Sequence, residues 1–334
     1  MLSVIGRVPG LFRLQKTLTA DQVALLYREP GVLGGYRQAH RSTAYYVASA
    51  VQINNETVNV WTHLVGFLLI LYRFVYYTDG FQVSDQRLWP LLGFCTCCLL
   101  YTGLSVCAHV VHSKSHLVHY TCFQLDYAGI ALYAFGGALP IYFDGADTNT
   151  RLTFEPVFLP TNLLLSWLCF VCCCFAKLRY RRPYPFRRKL FQVIPFGIHG
   201  ILNSSMLAPR ALRCYHDNCD DPALAIYKDI LTLAVLTAIT FSTHLPEKMW
   251  PGVFDFVGQG HHWFHVLSVL LTLRQCDAAY QDALRHQEAE PAVHLRTLLA
   301  LVAALCALCV ATVVLMRPFV LRRIEQDKLL DKTH

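Results

Sequence analysis

The sequence predicts an all-α integral membrane protein, and three observations carry that reading. Of its 334 residues, 54% are hydrophobic and only 15% are charged, whereas soluble domains sit near roughly 45–50% and about 25%. Eight stretches are long and apolar enough to cross a bilayer core of about 30 Å as helices. Basic residues collect in alternate connections between them. Disorder and a coiled coil are excluded, since both demand abundant charge, and nothing in the pattern calls for nucleic acid. The fourteen cysteines fall mostly inside apolar runs such as Cys95/Cys97/Cys98 and Cys172/Cys173/Cys174, where cysteine acts as a small, soft apolar side chain.

The predicted spans are about 58–77, 88–112, 122–144, 153–176, 190–208, 223–244, 256–275 and 295–316. The last, Leu295 to Met316, is the cleanest. Those around Asn59, Asp126, His199 and His261 carry polar groups that cost free energy in lipid, so these groups must face the bundle interior. No internal repeat or low-complexity linker divides the chain. Residues 1–57 then form an N-terminal arm, 58–316 one bundle, and 317–334 a tail.

An even number of spans puts both termini on one side. That side collects twenty Lys and Arg residues against seven opposite, which places the arm and the tail in the cytoplasm. The segment 177–189, KLRYRRPYPFRRK, supplies seven of the twenty. It reads as a positive-inside anchor on anionic lipid, with docking of an acidic partner as the secondary reading. MLSVIGRVPGLFRLQKTL reads as a short amphipathic or extended arm without a cleavable signal, so the first span serves as signal-anchor. Of the sequons, Asn55 falls on the cytoplasmic side and Asn203 inside a span. Cys214 and Cys219 share a short outer loop that permits a disulfide.

Polar residues interrupt the apolar pattern at three places. NETVNVWTH puts Glu56, Asn59 and His63 on one helical face at spacings of three and four. SVCAHVVH puts Ser105 and His109 four apart, with Asp126 early in the next span. GQGHHWFH puts His261 and His265 four apart. With the topology above, all of these share one depth near the cytoplasmic face. A His–x3–His pair alone is more often packed and hydrogen-bonded than ligating. Adding His109 and Asp126 at matched depth favours zinc on His109, His261 and His265, with Asp126 in the fourth position directly or through water and Ser105 supporting it. Glu56, Asn59 and His63 read equally well as an interhelical polar network. His262 points about 100° from its neighbour and reads as a bystander. His112, His116 and His119 read as facing water.

These motifs, in this order, resemble the progestin and adipoQ receptor family: ExxNxxxH, SxxxH, the aspartate of span three, and HxxxH. YREPGVLGGYR (27–37), RYRRPYP (179–185) and LPEKMWPGVFDFVGQGHHWFH (245–265) resemble its membrane progestin receptor branch, RYRRPYP leaning toward beta. The resemblance implies a seven-helix bundle of the adiponectin receptor type plus an eighth C-terminal transmembrane helix. It also implies a plasma-membrane receptor for progestin steroids, coupled to inhibitory G proteins that lower cyclic AMP. Zinc on the matching histidines, and a ceramidase-like amide hydrolysis served by Asp126 and Ser105, are implied by the same likeness. His262 departs from it, replacing the expected glutamine. No pattern singles out the steroid slot; Tyr127, Tyr133, Phe135 and Phe264 are candidates.

Overall fold

A computed structural model describes residues 15–79, 85–285 and 295–331. The elements are α1 (Thr43–Ser49), α2 (Thr57–Thr78), α3 (Trp89–Val111), α4 (His116–Pro140), α5 (Thr148–Phe154), α6 (Phe158–Arg179), α7 (Phe186–His216), α8 (Pro222–Thr243), α9 (Gly260–Arg285) and α10 (Leu295–Asp331). Several helix starts are set by local chemistry. Ser115 accepts from Val118 N at α4, Asp147 from Thr150 N at α5, and Asp221 from Leu224 N at α8, where Pro222 follows the cap.

Among the described residues, each of the eight expected spans overlaps a helix of at least 22 residues. Six of these, α2, α3, α6, α7, α8 and α10, are long and apolar enough to cross a membrane by length and composition. The other two, α4 and α9, are as long but carry Asp126, the histidine pair and a run of charges including Arg274, Asp277 and Asp282. The same polar residues that mark a site lower the apolar signal of the helices that bear them.

The packing follows a ring in which α2 lies against α3 and α9, α3 against α4, α4 against α6, α6 against α7, and α8 against α9. Contact between α7 and α8 is sparse. Helix α10 lies outside the ring on α4 and α6, where Trp167 Nε1 donates to Thr312 Oγ1 at 3.0 Å. Small residues bring α3 and α4 together: a Cβ at Gly136 would lie 2.7 Å from Cys97 Cβ.

The two ends of the bundle are closed differently. At one end Arg210 donates to Asp221 and, at 2.7 Å, to Asp282, tying α7, α8 and α9, and Cys214 and Cys219 form a disulfide. At the other, the N-terminal segment folds over the helix ends. Arg37, buried, donates to the carbonyls of His109 and Val110 at 2.6 Å each and so satisfies the C-terminus of α3. Val23, Leu26, Tyr27, Val32 and Tyr36 pack on Tyr120, Val320 and Ile324. Helix α10 therefore runs past residue 316 to Asp331, whose carboxylate accepts from Leu25 N at 3.1 Å. Both sequon asparagines, Asn55 and Asn203, are buried.

Gly136→Val should lower the stability of the solubilised protein by about 1–3 kcal/mol, because the added methyls meet α3. Gly197→Val, where a Cβ meets nothing within 4 Å, should change it far less. Thermal unfolding in detergent measures both.

Candidate metal centre and cavity

Three imidazoles converge where α3 meets α9. His265 Nε2 lies 3.1 Å from His261 Nε2, which lies 3.4 Å from His109 Nε2. The HxxxH spacing puts two of them on one face of α9, and the end of α3 supplies the third. The outer nitrogens of two of them are fixed by acceptors. His109 Nδ1 faces Glu56 Oε2 at 2.7 Å, and His265 Nδ1 faces the Asn59 carbonyl at 3.1 Å. Neither acceptor has a proton to give, so Nδ1 carries the hydrogen in both rings and Nε2 presents its lone pair.

Two lone pairs thus aim at His261 Nε2, which can donate to one of them at most. A cation between the three satisfies all. A tetrahedral zinc with Zn–N bonds of about 2.0–2.1 Å spaces its nitrogens by about 3.3 Å, close to the separations above. Neutral imidazoles also suit a buried site better than carboxylates. The ligand atoms of His109, His261 and His265 all lie within 4.8 Å of one another, as do those of Glu56, His109 and His112. The first set suits a metal. The second is a carboxylate held by two imidazoles.

Glu56, Asn59 and His63 form the layer behind the trio. Asn59 Nδ2 donates to Glu56 Oε2 at 2.9 Å, and the His63 ring stacks on His265 with centroids 3.7 Å apart. Burial pushes the Glu56 carboxyl up, but His112 and His109 outweigh it and hold the group well below the usual carboxylate range. The three residues expected as a packing network therefore position the histidines.

Two expectations are corrected. His112 and His119 do not face water: both are buried, His112 Nε2 lies 3.1 Å from Glu56 Oε1, and Tyr27 from the N-terminal segment covers His119. A tight link between α3 and α4 and the overlying segment exclude water. His112 stands three residues from His109, and that spacing was the signal for it. Phe135 lies fully buried in the core between helices, not on a ligand surface. His262 is buried but turned aside, accepting from Gln259 N at 3.2 Å.

The trio opens into a cavity of about 1570 Å³ lined by Ser105, Asp126, Tyr127, Tyr133 and Phe264, and by the facing sides of α7 and α8. Asp126 is buried beside Ser105, and its carboxylate lies outside the tight histidine cluster.

Residues 51–276 match the family described as haemolysin-III related. The chain belongs to that family, which is the progestin and adipoQ receptor family. It is 38% identical to pig membrane progestin receptor beta over 281 residues, which is 84% of this chain and 79% of that protein. Human membrane progestin receptor beta is 37% identical over 84% of this chain and 79% of its own length. Membrane progestin receptor alpha of Cynoscion nebulosus is 34% identical over 80% and 76%. In this family member His109, His261, His265, Glu56, Asn59, His63, Ser105 and Asp126 all fall inside the matched region 51–276.

Glu56→Gln should weaken divalent-metal uptake by about 10–100-fold by loosening the His109 tautomer and orientation, and His262→Ala should leave uptake intact. Metal content of the purified variants after mild chelation and reloading checks both.

Proposed function

We propose that this chain is a plasma-membrane receptor for progestin steroids, with eight helices crossing the bilayer and both termini in the cytoplasm. The cavity carries this reading, because it joins an apolar slot to a few polar groups at the depth of the histidine trio. Pockets of roughly 300–1,000 Å³ hold drug-sized ligands, so a rigid tetracycle fits with space remaining. The relatives that bear the name membrane progestin receptor support the ligand class.

A progestin offers an almost wholly apolar body with a carbonyl at each end. Tyr127 and Phe264 supply wall, and Tyr133 donates to Gln275 Oε1, which leaves the Gln275 amide hydrogens to donate to a ketone. Zinc held by His109, His261 and His265 would tie α3 to α9 as a structural clamp or activate a bound water. Asp126 would reach the fourth position through water, steadied by Ser105. Ligand occupancy would favour one of two arrangements of the helices around the slot, and the helix ends would pass this to an inhibitory G protein. The exposed basic residues Arg179, Arg181 and Arg187 would meet anionic lipid or that partner.

A second reading has one observation in its favour: Asp126 and Ser105 face the open cavity beside the trio. Such a carboxylate can take a proton from water during amide hydrolysis of a ceramide-like lipid.

Purified full-length protein should bind tritiated progesterone saturably, with about one site per chain. Only non-saturable uptake would exclude the receptor reading. Fatty-acid release from ceramide, lost in Asp126→Asn, would establish the hydrolase; its absence in metal-loaded protein removes that reading.

A further inference from the structure

The basic run between α6 and α7 divides into two halves. Arg179, Arg181 and Arg187 point outward, whereas Lys177, Arg188 and Lys189 are buried, and the Arg182 side chain is 7% exposed. All four inward residues line the same cavity as the histidine trio. Charge counting along the sequence treats them as one solvated stretch, so this division emerges only from the fold.

The inward group is short of negative charge. Arg182 forks onto Glu29. Among the described residues, Lys177, Arg188 and Lys189 have no carboxylate within 4.0 Å. Lys189 Nζ donates to the Phe241 carbonyl at 2.6 Å, and Lys177 Nζ sits 4.1 Å above the Phe123 ring. Arg188 lies 3.9 Å over the Tyr184 ring, and its Nε is buried without a partner. Arg182 covers the same ring at 4.8 Å, with its own Nε also unpartnered. Burial pushes the Tyr184 phenol up, yet Lys177, Arg182 and Arg188 outweigh it and hold the group at about 8. Buried guanidinium and ammonium groups without counter-ions are costly, and a guanidinium offers paired donors that match phosphate oxygens.

We propose that this pocket binds the phosphate head of a single-chain phosphate monoester lipid, whose tail lies in the apolar slot between α7 and α8. A dianion matches the Arg188 guanidinium and the Lys177 ammonium, which lack a carboxylate partner, with Lys189 beside them. The slot has room for the tail, since a Cβ at Gly197 or Gly200 meets nothing within 4 Å. The inference goes beyond the progestin reading and requires neither steroid binding nor metal.

The test uses the purified full chain in neutral detergent, with lysophosphatidate and the monoacylglycerol of the same chain as probes. Lysophosphatidate should bind about 10–100-fold more tightly, the span given by one or two charge-assisted hydrogen bonds. In Lys177→Gln/Arg188→Gln that preference should shrink to about twofold, with thermal unfolding reporting that the variant is folded; Arg188→Lys, which keeps the charge but not the fork, should fall between. The outward pair Arg179→Gln/Arg187→Gln should keep the full preference. Equal affinity of the two probes for the unaltered protein would overturn the proposal, and that comparison needs no variant. Loss in the outward pair as large as in the inward pair would also overturn it, by assigning the effect to general surface charge. So would competition by inorganic phosphate at the lipid's own concentration, which would remove the tail from recognition.

Discussion

The Glu56 carboxylate is the constraint on which the rest of this site depends. It is buried at the N-terminus of α2, accepts from Asn59 on its own helix and from His109 at the end of α3, and lies 3.1 Å from His112 Nε2. A buried carboxylate is tolerated only when its oxygens are satisfied, so α2 and the end of α3 are held in one relation. The same contacts decide which nitrogen of His109 carries the proton. That decision turns a lone pair toward α9 and makes three histidines from two helices a single donor set. Arg37 reinforces the arrangement from outside the bundle by capping the same end of α3.

Much of this was legible in the sequence, for a physical reason. A polar side chain inside an apolar span is conspicuous because lipid penalises it, so Glu56, Asn59, His63, Ser105, His109, Asp126, His261 and His265 stood out together. The HxxxH spacing supplied a shared helical face. Helix ends were less legible: α7 begins at Phe186 and continues to His216, beyond the apolar stretch 190–208, because Arg188, Lys189 and Arg210 interrupt the apolar pattern without interrupting the helix. Burial of His112 and His119 depends on the N-terminal segment folding over them, a contact between parts of the chain distant in sequence. The inward turn of Lys177, Arg182, Arg188 and Lys189 was invisible for the same reason.

The cavity links these features. One end carries the histidine trio and the inward cations, and the far end reaches Cys214, Cys219 and Asp221. Between them the walls are apolar, with α7 and α8 barely in contact. A ligand with a long apolar body and a polar group near one end satisfies such a space better than a compact polar one. Receptor and hydrolase readings share this cavity and differ in what Asp126 and Ser105 do beside the trio.

The most direct measurement is X-ray absorption at the zinc edge on zinc-loaded protein. The converging imidazoles predict a shell of three nitrogens and one oxygen at about 2.0–2.1 Å. With fourteen cysteines in the chain, a sulfur shell at about 2.3 Å would place the metal elsewhere and contradict the assembly of His109, His261 and His265 as its ligands.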